Sequence, residues 1–128
     1  MGKVVVLGGF VADTAYRAAR MPNMGETIMG TSFALGPGGK GSNQAVACAR
    51  MGAETHMITK LGQDDFAKLA LGTWEQAGVI PHVEQVSDSY TGAAHIFIED
   101  ATGDNAIIVA PGAAALIDIA DIEAHAAL

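Results

Sequence analysis

The segment GPGGKGSN, residues 36–43, combines bare backbone with polar side chains in a way that suits a ligand. Four glycines in six residues exceed what a turn needs, and ordering them costs conformational entropy. The alanine-rich run that follows, Ser42 to Met51, reads as a helix. Free amides at a helix start, with the Lys40 ammonium beside them, favour an oxygen-rich or anionic ligand. Asn43 in the first turn both donates and accepts, which suits a hydroxyl. These residues alone leave the ligand unnamed.

Two nucleotide loops and a plain turn are the competing readings. A Walker A loop needs G-x-x-x-x-G-K-[ST], but Ala34 holds its first glycine position and Gly41 the hydroxyl position, so the magnesium ligand is missing. GPGGKG matches G-x-G-x-x-G letter for letter. Against a dinucleotide site, Pro37 stiffens the turn and the first clean strand lies far upstream. The strand after the helix also ends in Lys60-Leu61, where an acidic ribose ligand belongs.

Little else in the chain suggests catalysis or metal binding. Cys48 is the single cysteine and lies in the apolar part of the helix, so it reads as a buried, inert thiol. It can neither form an internal disulfide nor complete a four-ligand zinc site. His56, His82 and His125 are far apart in the chain and show no metal spacing; no metal ligands are assigned.

Composition narrows the class. The 128 residues fit one domain, and 50% are apolar, enough for a core. A net charge of −7 with scattered basic residues argues against nucleic acid and anionic membranes as partners. No apolar run approaches the roughly 20 residues of a membrane span. The chain enters a strand at once, without a signal-peptide layout, so a cytoplasmic protein is expected.

Around the glycine segment the pattern is α/β. Lys3–Leu7 (KVVVL), closed by Gly8-Gly9, suits a buried parallel strand, and residues 10–26 read as a loop punctuated by Pro22 and Gly25. Residues 27–35 suit one bent strand or two short ones, and Thr55–Leu61 the next strand. Asp64 and Asp65 open a second helix, whose face of Phe66, Leu69, Ala70, Trp74 and Ala77 runs to a stop at Gly78. Val79–Val86 is a strand candidate weakened by Pro81. Thr91–Asp100 and Asn105–Gly112 flank the turn-rich ATGD as a hairpin, and Asp118–Leu128 starts a further helix.

With these elements placed, the chain resembles the ribokinase-like (PfkB) carbohydrate kinases, nearest within them to the ribokinases. The resemblance rests on GGKGSNQAVACARMGAE, on VVLGGFVAD and MPNMGET before it, and on TKLGQDDF, TGAAHIFI and NAIIVAPGA after it. It implies an incomplete three-layer α/β sandwich: residues 1–128 would form the N-terminal part of one domain, with a small β-sheet lid from strands near 27–35 and 91–110. It also implies ATP- and Mg²⁺-dependent phosphorylation of a sugar hydroxyl, and a homodimer paired through the lid. The glycine segment would then hold sugar and not nucleotide. Asp13, which the resemblance puts at the end of the first strand, would grip sugar hydroxyls, with Gly38, Gly39 and Lys40 meeting the sugar from the other side and Asn43 adding a contact. Ala94, Ile96 and Val109 would line the apolar wall, while His95 faces away. A loop-start cap for Asp13 and a solvated charge for Lys40 are the plain alternatives.

The chain departs from that pattern in three places. Val11 stands where ribokinases carry an asparagine, on the same side of the strand as Asp13 by period two. A buried hydroxyl without a partner costs about 1–3 kcal/mol, so a deoxy-sugar or differently substituted sugar is expected to fit better than ribose. Ala114 likewise replaces an asparagine after the hairpin. The second family signature, D-T-x-G-A-G-D, which supplies the catalytic base, is not found, and Thr102-Gly103-Asp104 lacks its context. No catalytic residue is therefore assigned, and the base, with bound ATP and Mg²⁺, is expected beyond residue 128. By itself the chain is expected to be inactive, with a stand-alone sugar-binding or dimerising module as the alternative.

Overall fold

A computed structural model describes residues 2–128 and resolves two sheets joined through the glycine segment. The first sheet contains β1 (Lys3–Leu7), β4 (Glu54–Leu61) and β5 (Val79–Gln85), all parallel, with β4 in the middle. The second holds β3 (Ser32–Gly38), β2 (Val11–Ala18), β6 (Thr91–Glu99) and β7 (Asn105–Gly112), in that order. Here β2 runs parallel to β6, while β3 and β7 are antiparallel edges. The helices are α1 (Lys40–Arg50), α2 (Asp65–Ala77) and α3 (Ile119–Ala124), the last preceded by a 3₁₀ turn at Ala113–Leu116.

The core lies between the first sheet and α1 and α2. Met57 and Leu61 of β4 meet Ala45 of α1 and Ala67, Ala70 and Trp74 of α2, all fully buried. Trp74 packs edge-on against Phe10, with ring centroids 6.0 Å apart, and its indole N–H donates to Ser42 Oγ at 2.9 Å. That bond joins α2 to the first turn of α1, which the site uses. The α2 boundaries follow their local signals: Asp64 Oδ1 accepts from the Ala67 amide, and Gly78 closes the helix at φ 85°. Pro81 is tolerated because β5 is an edge strand.

Several expectations from sequence are corrected. Residues 11–18 are a strand, not loop: β2 is the inner strand that joins β3 to β6. Its Ala, Asp and Arg content is poor strand material, and pairing on both sides overrides that propensity. Asp13 consequently sits within the second strand and not at the end of the first. The strand expected at 27–35 runs from Ser32 to Gly38, so half of the glycine segment is strand. β1 is parallel as expected, but it is an edge strand with Val5 and Leu7 exposed on the face away from the helices. Cys48 is half-buried, at the margin of the α1 core face. The last helix ends at Ala124, before the chain does.

Candidate functional site

A cleft of about 610 Å³ opens where the second sheet meets the start of α1. Three strands supply one wall. In the ladder Asp13 lies opposite Ala94, and Ala94 opposite Val109, so the three side chains share one rung and one face. The next rung on that face carries Ile96 and Ile107, and Val11 lies two residues before Asp13. The facing wall is the turn into α1, with Gly39, Lys40, Gly41 and Asn43, closed below by Gly9.

Backbone packed on backbone brings these walls together. A Cβ on Gly41 would lie 2.9 Å from Gly8 Cα, and one on Gly39 would lie 2.6 Å from the Gly9 carbonyl oxygen. Gly39 also takes φ 95° with ψ 128°, a conformation open almost only to glycine. Gly38 has a different task. It is buried behind Asp13, and a Cβ there would run into the Asp13 carboxylate. The glycines therefore let α1 start against the β1–β2 link and let Asp13 lie flat over β3.

The protein groups of the cleft do not balance one another electrostatically. Burial pushes the Asp13 carboxyl up, and no donor among the described residues offsets it. Across the cleft, α1 begins with no side-chain cap and no acidic residue in its first turn. The Ser42 amide donates to Gly9 O at 3.3 Å and the Asn43 amide to Gly39 O at 2.8 Å. The amides of Lys40 and Gly41 have no such partner among the described residues. Placing Lys40 at the positive end of a helix also runs against the dipole. A ligand with several hydroxyls would suit both sides, donating to the carboxylate and accepting from the amides and the ammonium.

Of the nine candidates taken from sequence, Val11, Asp13, Gly39, Lys40, Asn43, Ala94, Ile96 and Val109 line this cleft, and Gly38 lies beneath Asp13. Gly9, Gly41 and Ile107 line it as well and were not singled out. Ile107 was accessible by the same period-two argument that gave Val109. Ala114 packs behind the cleft, within 3.0 Å of where a Gly9 Cβ would be. His95 is on the opposite face of the sheet, its ring centroid 5.2 Å from that of Tyr16. Thr102-Gly103-Asp104 is turn chemistry: Thr102 Oγ1 accepts from the Asp104 amide and Gly103 takes φ 75°.

Sequence comparison decides the family, because the profile described as pfkB family carbohydrate kinase matches residues 1–128. The chain belongs to the pfkB family. It is 41% identical over 114 residues to a ribokinase of Bacillus subtilis (strain 168), covering 88% of this chain and 38% of that protein. A deoxyribokinase of Salmonella typhi is 36% identical over 121 residues, covering 94% of this chain and 39% of that one. The structure of ribokinase from Giardia lamblia superposes with a TM-score of 0.86 at 31% identity, covering 99% of this chain and 39% of that chain. The fold is therefore a partial ribokinase fold, and this pfkB chain spans about two fifths of the length of the relatives it matches.

Proposed function

We propose that this chain is the sugar-binding portion of a carbohydrate kinase that moves the γ-phosphoryl group of ATP to a sugar hydroxyl. The observation that carries the reading is the part-buried Asp13 carboxylate, without a donor among the described residues, across a cleft from Lys40 and uncapped helix amides. Asp13 accepts two hydroxyl protons, Lys40 donates, Asn43 does both, and the glycines admit sugar oxygens close to the backbone. Ala94, Ile96, Ile107 and Val109 pack against the C–H face of the ring. Phosphoryl transfer depends on positioning and charge stabilisation, so a rigid sugar grip is what this half contributes.

The residues present do not fit ATP or Mg²⁺. Among the described residues Asp13 is the single carboxylate lining the cleft, and a lone carboxylate facing an ammonium is not a nucleotide-bound magnesium site. No step of the transfer is assigned to these side chains. In this proposal the base, ATP and Mg²⁺ belong to the remainder of a full-length kinase. A cytoplasmic location and a homodimer through the lid complete it. The dimer is supported by apolar side chains left open on the edge strands of the lid, Phe33 at 57% and Ile108 at 67% exposure.

The test combines intact mass with calorimetric titration of ribose and 2-deoxyribose. Saturable sugar binding that disappears in Asp13→Ala is expected. Binding unchanged in that variant overturns the site. A purified protein of 13.1 kDa would favour the stand-alone module, and sugar phosphorylation by that verified short chain would overturn the division of labour.

A further inference from the structure

The face of the first sheet turned away from α1 and α2 carries a cluster that sugar binding does not use. His56 of β4, His82 of β5 and His125 at the end of α3 are distant in sequence but adjacent here. His56 Nδ1 and His82 Nε2 are 2.9 Å apart. Their ring centroids are 5.1 Å apart and the planes are tilted by 25°. A separation that large with nitrogens that close sets the rings edge to edge, so the two nitrogens point at each other along a shared proton. That leaves no opening for a metal ion between them. His56 Nε2 lies 2.8 Å from Glu54 Oε1, so this ring nitrogen carries a proton and donates it to the carboxylate. The His125 ring meets His82 edge-on, with centroids 5.0 Å apart, and its Nδ1 donates to the Asp121 carbonyl at 3.0 Å.

We infer that the His56–His82 pair is an acid-sensitive latch that holds the C-terminal end of α3 against the sheet. The pair has two intact states. When both rings are neutral, His82 Nε2–H donates to His56 Nδ1. One added proton is accommodated by reversing the bond, with His56 donating from both nitrogens, to Glu54 and to His82. A second proton puts N–H groups on both facing nitrogens, and the bond breaks beside His125. Consistent with this, burial, then His125, then His56 hold His82 below its ordinary value.

The charged groups around the cluster leave the other attachment of α3 intact over the same range. From β1, Lys3 lies 3.9 Å from Glu54. From β4, Lys60 donates to the Leu116 carbonyl at 2.9 Å and pairs with Asp121 of α3 at 3.4 Å and Glu84 of β5 at 3.8 Å. Asp121 also accepts from the Asp118 amide. Burial opposes ionisation of Asp121, but Asp118 and Lys60 outweigh it and hold its carboxyl low; the His56 contact does the same for Glu54. Both carboxyls are thus held below the ordinary carboxylate value, which itself lies below the ordinary imidazole value. Acid therefore frees the end of α3 and spares its start.

The sign follows from His82. Its depressed value means the docked state binds the proton less readily than the undocked state. Docking is complete above about pH 6.5 and is lost as pH falls through the lowered value. Between the two, one extra proton weakens docking about tenfold per pH unit. The test is hydrogen exchange of the His125, Ala126 and Leu128 amides, all hydrogen-bonded in the docked state, from pH 7.5 to 5, with imidazole ¹⁵N spectra of the same samples. Protection at these amides should fall with the His82 titration while that of Asp121 persists, and His82→Gln should make the fall disappear. In the unmodified chain, three histidines titrating independently, or amide protection unchanged across the range, would overturn the latch even if the variant failed to fold.

Discussion

Three glycines in the same segment should respond differently to alanine, and the contrast tests the sugar site. At Gly38 the three atoms nearest to a Cβ all belong to the Asp13 carboxylate, the movable end of a side chain. The carboxylate should swing away at a cost to the fold of about 0.5–1.5 kcal/mol, typical of a displaced rotamer. Binding should suffer far more. Two hydrogen bonds from sugar hydroxyls to a carboxylate are worth about 1.5–3 kcal/mol each, so affinity should fall roughly 10²- to 10⁴-fold. Gly36, directly opposite Asp13 in the ladder, has nothing within 4 Å of its Cβ position, so Gly36→Ala should be silent. Gly39→Ala must abandon φ 95° and pushes into the Gly9 carbonyl oxygen and Phe10 Cα, at 2.6 and 2.9 Å. Strain of this kind costs of order 1–3 kcal/mol before any backbone shift, so this variant should lose stability first. Calorimetric titration with 2-deoxyribose and thermal unfolding of all three variants separate the outcomes. Parent-like sugar affinity in Gly38→Ala, with the fold intact, would refute the placement of Asp13 against the sugar.

Other perturbations follow from the same geometry. Val11→Asn restores a hydroxyl partner on the cleft wall and should shift preference toward ribose over 2-deoxyribose by about 5- to 150-fold, the equivalent of about 1–3 kcal/mol. A tenfold preference for ribose already present in the parent would defeat this, measured as binding or as kcat/KM in a complete enzyme. Asp64→Ala removes both the α2 cap and the acceptor for the Thr91 amide, held at 2.9 Å, and should cost about 2–4 kcal/mol in denaturant unfolding. Burial opposes ionisation of Asp64, but its Thr91 and Ala67 bonds outweigh it and hold the carboxyl below the usual range. Its stabilisation is present above about pH 3.8 and lost as pH falls through the lowered value, so acid should erase the difference between Asp64→Ala and the parent.

What could be read in the sequence, and what could not, divides by the range of the interaction. α2 was legible because its signals are local: Asp64 caps it, the apolar spacing gives its buried face, and Gly78 ends it in a left-handed turn. The hairpin of β6 and β7 was legible for the same reason, through ATGD and period two. β2 was not. VADTAYRA is a strand because β3 and β6 flank it, and no feature of those eight residues declares that. The candidate site falls on both sides of this divide. Lys40, Asn43 and the glycines announce a helix start that breaks the usual rules, with a cation at the positive end and no cap, and such local inconsistency points to a ligand. Asp13 gains its meaning only from its neighbours in the ladder, which place it on one rung with Ala94 and Val109 and over Gly38. The histidines show the limit most clearly. Their sequence spacing shows no recognisable metal motif, yet it hides their contact, which the parallel register of β4 on β5 and the docking of α3 create. A spacing argument sees ligands on one element. It is blind to side chains that adjacent strands bring together, so the latch was visible only once the sheet was assembled.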